Sequence, residues 1–274
     1  MNEPITPSLE NLRKAEEENV GVTTRILGET LNLVDDLRGL YDWLAAELCK
    51  PGRADRCPDV IPGIPLLRAS EYHLHSAVLS CLRCHITDSC AASRMAIESV
   101  AVLAKMQRQP EVARLWMEAG VDDQAARAYR RATSGPELFS ADDAELRDLK
   151  IHYDLCAKQT HPGFASMVRR LRTPTPSTSS QVEVEFHWFD IRPESKAEPA
   201  RTFLWIADTH LKILDLYARV FKAALDETAW MLRRNGVEAR HVMHTQKWMH
   251  AISQSDAGYQ AKRSSDDRDP TPLV

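Results

Sequence analysis

Apolar residues recur at three- and four-residue steps over most of this chain, the spacing of helices that bury one face. Between Val22 and Cys49 the stripe is Leu27, Leu31, Val34, Leu37, Tyr41, Leu44 and Leu48, which predicts one long helix ended by Pro51 and Gly52. A loop carrying Pro51, Pro58, Pro62 and Pro65 follows, since proline removes a backbone donor and blocks helix continuation. A second long helix is predicted from Ser70 as far as Gln109. On it Val78, Leu82, Ile86, Ser89, Ser93, Ile97 and Val100 share a side, and the small residues Ser89, Ala92 and Ser93 would let another helix come close. Pro110 opens a short helix that should stop at Gly120. Further helices are expected over 122–133 and 142–159, with Ser134, Gly135 and Pro136 between them.

The pattern then changes. Thr173 to Ser180, TPTPSTSS, has the composition of a flexible or extended linker. Directly after it Val182, Val184, Phe186 and Trp188 alternate with Glu183, Glu185 and His187, a period of two that predicts a β-strand over 181–189. Its expected partner is the loop around Val60 and Ile61, or a second subunit. The helical pattern returns from Pro199 to about Asn235 and closes at Gly236, and a last helix is predicted near 238–251 before a polar tail. The expected fold is therefore all-α, a bundle of long antiparallel helices with one accessory β-strand near 181–189. Its parts would be a first helical section over 1–172, a linker at 173–180, a strand and long helices packing back over 181–252, and a disordered tail from 253 to 274.

Composition narrows the class. The 274 residues are 43% hydrophobic and 27% charged with a net charge of −4, which suits a globular protein and argues against bulk electrostatic coating of nucleic acid or anionic membrane. The longest hydrophobic stretch free of charged residues, Tyr72 to Leu82, has 11 residues, against the roughly 18 that a membrane span needs. No apolar signal core stands in the first twenty residues, and the 6 cysteines are too sparse for a disulfide scaffold. The expectation is a cytoplasmic protein with free thiols, no membrane contact and no cofactor. The net charge hides an asymmetry: residues 1–50 carry ten acids against five bases, whereas 230–250 carry Arg233, Arg234, Arg240 and Lys247 against Glu238 alone. Those bases, interleaved with Trp230, Trp248, His241, His244 and His250, could contact RNA, but complementarity with the acidic segment is preferred.

Several strings carry candidate chemistry. Cys81-Leu82-Arg83-Cys84-His85 has the C-x-x-C-H form of haem attachment and, on a continuous helix, would place Cys81, Cys84, His85 and Asp88 on one ridge as metal ligands. Ordinary buried thiols are the plainer reading. Arg94 and Glu98 stand one turn apart among small residues, as a polar site in a helix groove or a solvated ion pair. His161 precedes Pro162 at the end of the helix bearing Tyr153, where a helix C-terminus favours its charged form. There is no phosphate-binding glycine loop, no dinucleotide fingerprint and no nucleophile elbow.

The order Arg94-x-x-x-Glu98, then an aromatic-bearing helix from Tyr153 to Lys158-x-x-His161-Pro162, resembles uncharacterised bacterial all-helical proteins of HEPN-like outline, over about 70–172. That resemblance implies a ribonuclease in which an arginine and a histidine, separated by four to six residues, serve the ribose hydroxyl and the phosphate. Arg147 and His152 have that spacing, and His161 with Arg94 would be the other pair. The leading expectation is a protein that acts by self-association or by binding a protein partner. An RNA-cleaving toxin or defence factor, and a metal-binding bundle using Cys81, Cys84 and His85, are the alternatives.

Overall fold

Ser8 starts the first helix, α1 (Leu9–Leu27), by accepting the Asn11 backbone N–H on its hydroxyl at 3.2 Å. Gly28, at φ 51°, takes a conformation that residues with a side chain avoid, and a 3-10 turn at Gly28–Leu31 redirects the chain into α2 (Asn32–Leu48). The single helix expected over 22–49 is thus two, although Leu27, Leu37, Tyr41, Leu44 and Leu48 of its stripe are all buried. The structure is a computed structural model that describes residues 8–57, 59–160, 171–172, 185–186, 189–190 and 196–266.

After the short α3 (Arg53–Arg56), α4 (Val60–Leu82) begins inside the expected proline loop. Pro62 falls among the first residues of the helix, whose N–H groups have no intrahelical acceptor in any case, so it interrupts nothing there. The helix does not run on to Gln109. His85 N–H bonds the Ser80 carbonyl at 2.9 Å and Cys84 N–H bonds the Cys81 carbonyl at 3.0 Å, closing a Schellman turn with Cys84 left-handed at φ 66°. The chain reverses there into α5 (Ile86–Arg108). The Asp190 carboxylate accepts the Thr87 N–H at 2.8 Å and so caps the new helix from a distant segment. Then come α6 (Pro110–Glu118), α7 (Asp123–Ala132), with Asp122 as its cap, and α8 (Ala144–Thr160).

The accessory strand expected near 181–189 is not supported as an element of the fold. The β-structure among the described residues is a two-residue antiparallel ladder between β1 (Leu171–Arg172) and β2 (Glu185–Phe186), with Leu171 opposite Phe186. Val60 and Ile61, the expected partners, belong to α4 and have committed their backbone groups to a helix. The linker expected at 173–180 lies outside the described residues.

The last two helices are α9 (Ala197–Val220) and α10 (Glu227–Asp266). They part at 221–226, where Asp226 caps α10 through the Ala229 N–H at 3.0 Å, and not at Gly236. A Cβ at Gly236 would meet only Arg240 Nη1 at 3.8 Å, so the helix passes through that position without steric cause to stop. It also continues beyond 253, where a disordered tail is expected; the first proline after that point is Pro270.

Of the 24 residues of α9, 16 are buried, which makes it the central helix of the bundle. It packs on α2, α4, α5, α8 and α10, while α4 and α5 form an antiparallel pair beside it. Ser70 joins three of these helices, donating to the Ala96 carbonyl at 3.2 Å and accepting from the Tyr217 hydroxyl at 2.9 Å. Tyr41, Phe203, Tyr217 and Phe221 are the largest fully buried side chains, each contributing about 1.5–3 kcal/mol by burial.

Candidate functional site

The sequence-predicted site residues separate into three places. Arg94 on α5 does meet Tyr153 on α8: its Nη2 donates to the tyrosine hydroxyl at 2.9 Å, its Nε donates to Glu98 at 3.0 Å, and its guanidinium lies 4.8 Å from the ring centre. Burial, with Glu98 beside it, pushes the Tyr153 hydroxyl pKa up, so it stays protonated. The trio is a polar clamp between two helices. His161, the fourth member of that constellation, lies outside the described residues.

Arg147 and His152 do not share a site. Five residues along a helix turn them about 140° apart. Arg147 is exposed and donates to the Ala141 carbonyl at 2.9 Å, whereas His152 is buried and stacks on Trp205 at 5.5 Å. The Thr209 hydroxyl donates to the Trp205 carbonyl at 2.8 Å and lies 2.7 Å from His152 Nδ1, so that nitrogen must be the donor between them. Burial lowers the His152 pKa, against the pull of Asp208, whose Oδ2 is 3.5 Å from Nε2.

The ridge of metal ligands does not form either, because α4 ends at Leu82. The Cys81 thiol points to the Pro199 carbonyl at 3.7 Å, Cys84 Sγ lies 3.8 Å from Thr23 Oγ1, and His85 Nε2 lies 3.0 Å from Glu16. Burial pushes the Cys81 thiol pKa far up, which opposes the thiolate that a metal needs. Among the described residues no group of three or more His, Cys, Asp or Glu side chains is placed to hold a metal ion.

A different site stands out on the structure. A groove of about 840 Å³ lies over α9, with α8 as one wall and α10 as the other. Along α10, Met231, Val242 and Met249 fall at i, i+11 and i+18, within about 20° of one helix face, with Glu238 at i+7 on the same line, and the three apolar residues line the groove while remaining roughly half exposed. Leu211 and Ala218 of α9 lie beneath them, and Trp230, stacked on Trp43 at 6.0 Å, closes one end. The opposite side of α10 is anchored to the body: the Trp248 indole N–H donates to Thr30 Oγ1 at 3.1 Å, and Arg240 holds Asp36 through bonds of 2.6 and 2.9 Å. That last pair joins the basic segment at 230–250 to the acidic one at 1–50.

No protein-family model, curated protein or solved structure matches this chain. The groove therefore has to be understood from its own residues. Of its lining residues, Trp230, Arg234, Glu238 and His241 belong to the basic segment noted in the sequence, but the apolar line of Met231, Val242 and Met249 was not singled out, because the signal is a second face on α10. It becomes visible only once Trp230, Val237, His244 and Trp248 are known to fill the first. No helix among the described residues is long and apolar enough to cross a membrane.

Proposed function

We propose that this chain acts by association, receiving an α-helix of a partner protein in the groove between α8 and α10. The observation that carries this reading is the line Met231, Val242 and Met249, half exposed on a helix whose other face is already buried. Two helices flank a third and leave a trough between them, which is the shape a further helix fills in a bundle. The trough runs along α10 for about 27 Å, the length of roughly 18 helical residues. Methionine suits such a wall because its unbranched side chain adapts to the surface laid against it. Among the described residues the ribonuclease reading has the Arg94–Tyr153 contact to draw on, and there the guanidinium is already engaged by Glu98 and Tyr153.

A fluorescent helical peptide of about 18 residues, with a leucine stripe and glutamine elsewhere, tests the reading by anisotropy. Saturable binding is expected, weakened by about tenfold or more in Val242→Glu and Met249→Glu, whose thermal unfolding should match the parent because both positions are exposed. No binding, or equal binding by the variants, would refute it.

A further inference from the structure

We infer that two copies of this chain associate through the outer face of α4, packed antiparallel about a two-fold axis. Ile61, Arg68, Tyr72 and Leu79 fall at i, i+7, i+11 and i+18, within about 20° of one line along that helix. Ile61 is 63% exposed, Tyr72 67% and Leu79 49%, so the fold leaves three large apolar side chains of one helix uncovered. The opposite side of α4 is its buried one, where Leu67, Leu74, Ala77 and Cys81 have no exposed surface. The line is separate from the groove, none of whose lining residues belongs to α4.

The order of the four residues points to a second copy as what covers them. Their spacing is symmetric, seven, four and seven residues. Turning a second copy end for end therefore brings Ile61 onto the partner's Leu79 and Arg68 onto the partner's Tyr72. Each contact occurs twice, as a two-fold axis requires. Apolar side chains meet at both ends, and in the middle a guanidinium lies over a phenol ring, which attracts it. A parallel pair would instead set Arg68 against the partner's Arg68, like charge on like. Covering Arg68 does not strand its charge, because Asp42 at 2.8 Å and Glu71 already hold it. From Ile61 to Leu79 the line is about 27 Å long, five turns of helix on each copy.

Sedimentation equilibrium of the full chain tests this, with twice the monomer mass expected. Ile61→Glu and Leu79→Lys change exposed positions, so both should unfold like the parent, and each should weaken the dimer about tenfold or more. An equimolar mixture of the two variants should recover most of that loss, because the carboxylate at 61 of one then faces the ammonium at 79 of the other. That recovery should fade with added salt. A monomer at every concentration overturns the inference, as does a dimer that neither change weakens. If both changes weaken it and the mixture recovers nothing, the antiparallel register is overturned. If Met249→Glu lowers the mass and the α4 variants do not, the copies meet at the groove and the inference falls.

Discussion

Arg234 on α10 grips the Asp215 carboxylate of α9, Nε to Oδ1 at 2.9 Å and Nη2 to Oδ2 at 2.8 Å, and so sets how far one wall of the groove stands from its floor. Both side chains are less than a third exposed, and each holds the other in a planar, two-bond geometry. Arg234→Met keeps the apolar stem and removes the fork, leaving Asp215 without its main partner. The variant should lose about 2 kcal/mol of stability in urea unfolding. It should also weaken peptide binding more than Arg233→Met does, since Arg233 lies over the Trp43 ring, away from the groove.

Acid should destabilise the bundle through a histidine. His210 is fully buried, with Nδ1 2.8 Å from the Tyr41 hydroxyl and His73 and His75 as neighbouring imidazoles. Burial, reinforced by those two histidines, lowers its pKa to about 3. Its unfolded value is near 6.5, so between these two values the unfolded chain binds more protons than the folded one. Stability is therefore complete above about pH 6.5 and falls as the pH drops toward 3, by up to about 1.4 kcal/mol per pH unit. Burial also lowers the pKa of His152 and His244, which adds to the slope in the same sense. His210→Gln should flatten the slope of unfolding free energy between pH 6 and 4, measured by urea titration at each pH.

Gly63 is required by a neighbour. A Cβ there would lie 2.6 Å from Cε1 and closer still to Cζ of Phe221, a ring with no exposed surface, with Leu103 behind it. The ring cannot withdraw without disturbing the turn that parts α9 from α10. Gly63→Ala should cost about 1–3 kcal/mol by overpacking, despite alanine's better helix propensity. The double variant Gly63→Ala/Phe221→Leu should recover part of that loss relative to the sum of the two single changes, which a double-mutant cycle measures.

Cys84 explains the largest departure of the fold from its sequence pattern. The apolar spacing from Ser70 to Gln109 is continuous, and the C-terminal turn of α4 lacks the glycine that normally marks a left-handed residue. A cysteine stands there at φ 66°, so the reversal into α5 left no signal to read. Cys84→Gly relieves the backbone strain but removes a buried thiol, and should change stability by less than about 1 kcal/mol. Cys84→Val, β-branched at a left-handed position, should cost about 2 kcal/mol or more. Chemical denaturation of the two variants distinguishes them.

What was legible was local. The helical period of α2 was readable because it buries a face on its own spacing, whereas α6 and α7, which bury Val112 and Ala125, were bounded by Pro110, Gly120 and the Ser134-Gly135-Pro136 run. Cues that depend on tertiary context misled: Pro62 marked a loop yet sits where a helix start tolerates it, and Gly236 marked a stop yet lies inside α10. The pairing of the acidic and basic segments was anticipated from charge, and Arg240 with Asp36 is one contact that realises it. The Arg94, Glu98 and Tyr153 constellation was legible because arginine and glutamate are one turn apart and tyrosine is the residue that α8 presents to them. The groove was not legible, since no spacing along one helix reports that its neighbours leave a trough beside it.

The central claim, that the groove takes up a helix, is tested most directly by the methyl spectrum of methionine-labelled protein during titration with the leucine-striped peptide. The Met231 and Met249 methyl signals should move together and saturate, while Met106, 1% exposed in the core, keeps its position. If Met231 and Met249 stay in place, or Met106 moves with them, the groove is not the site that binds.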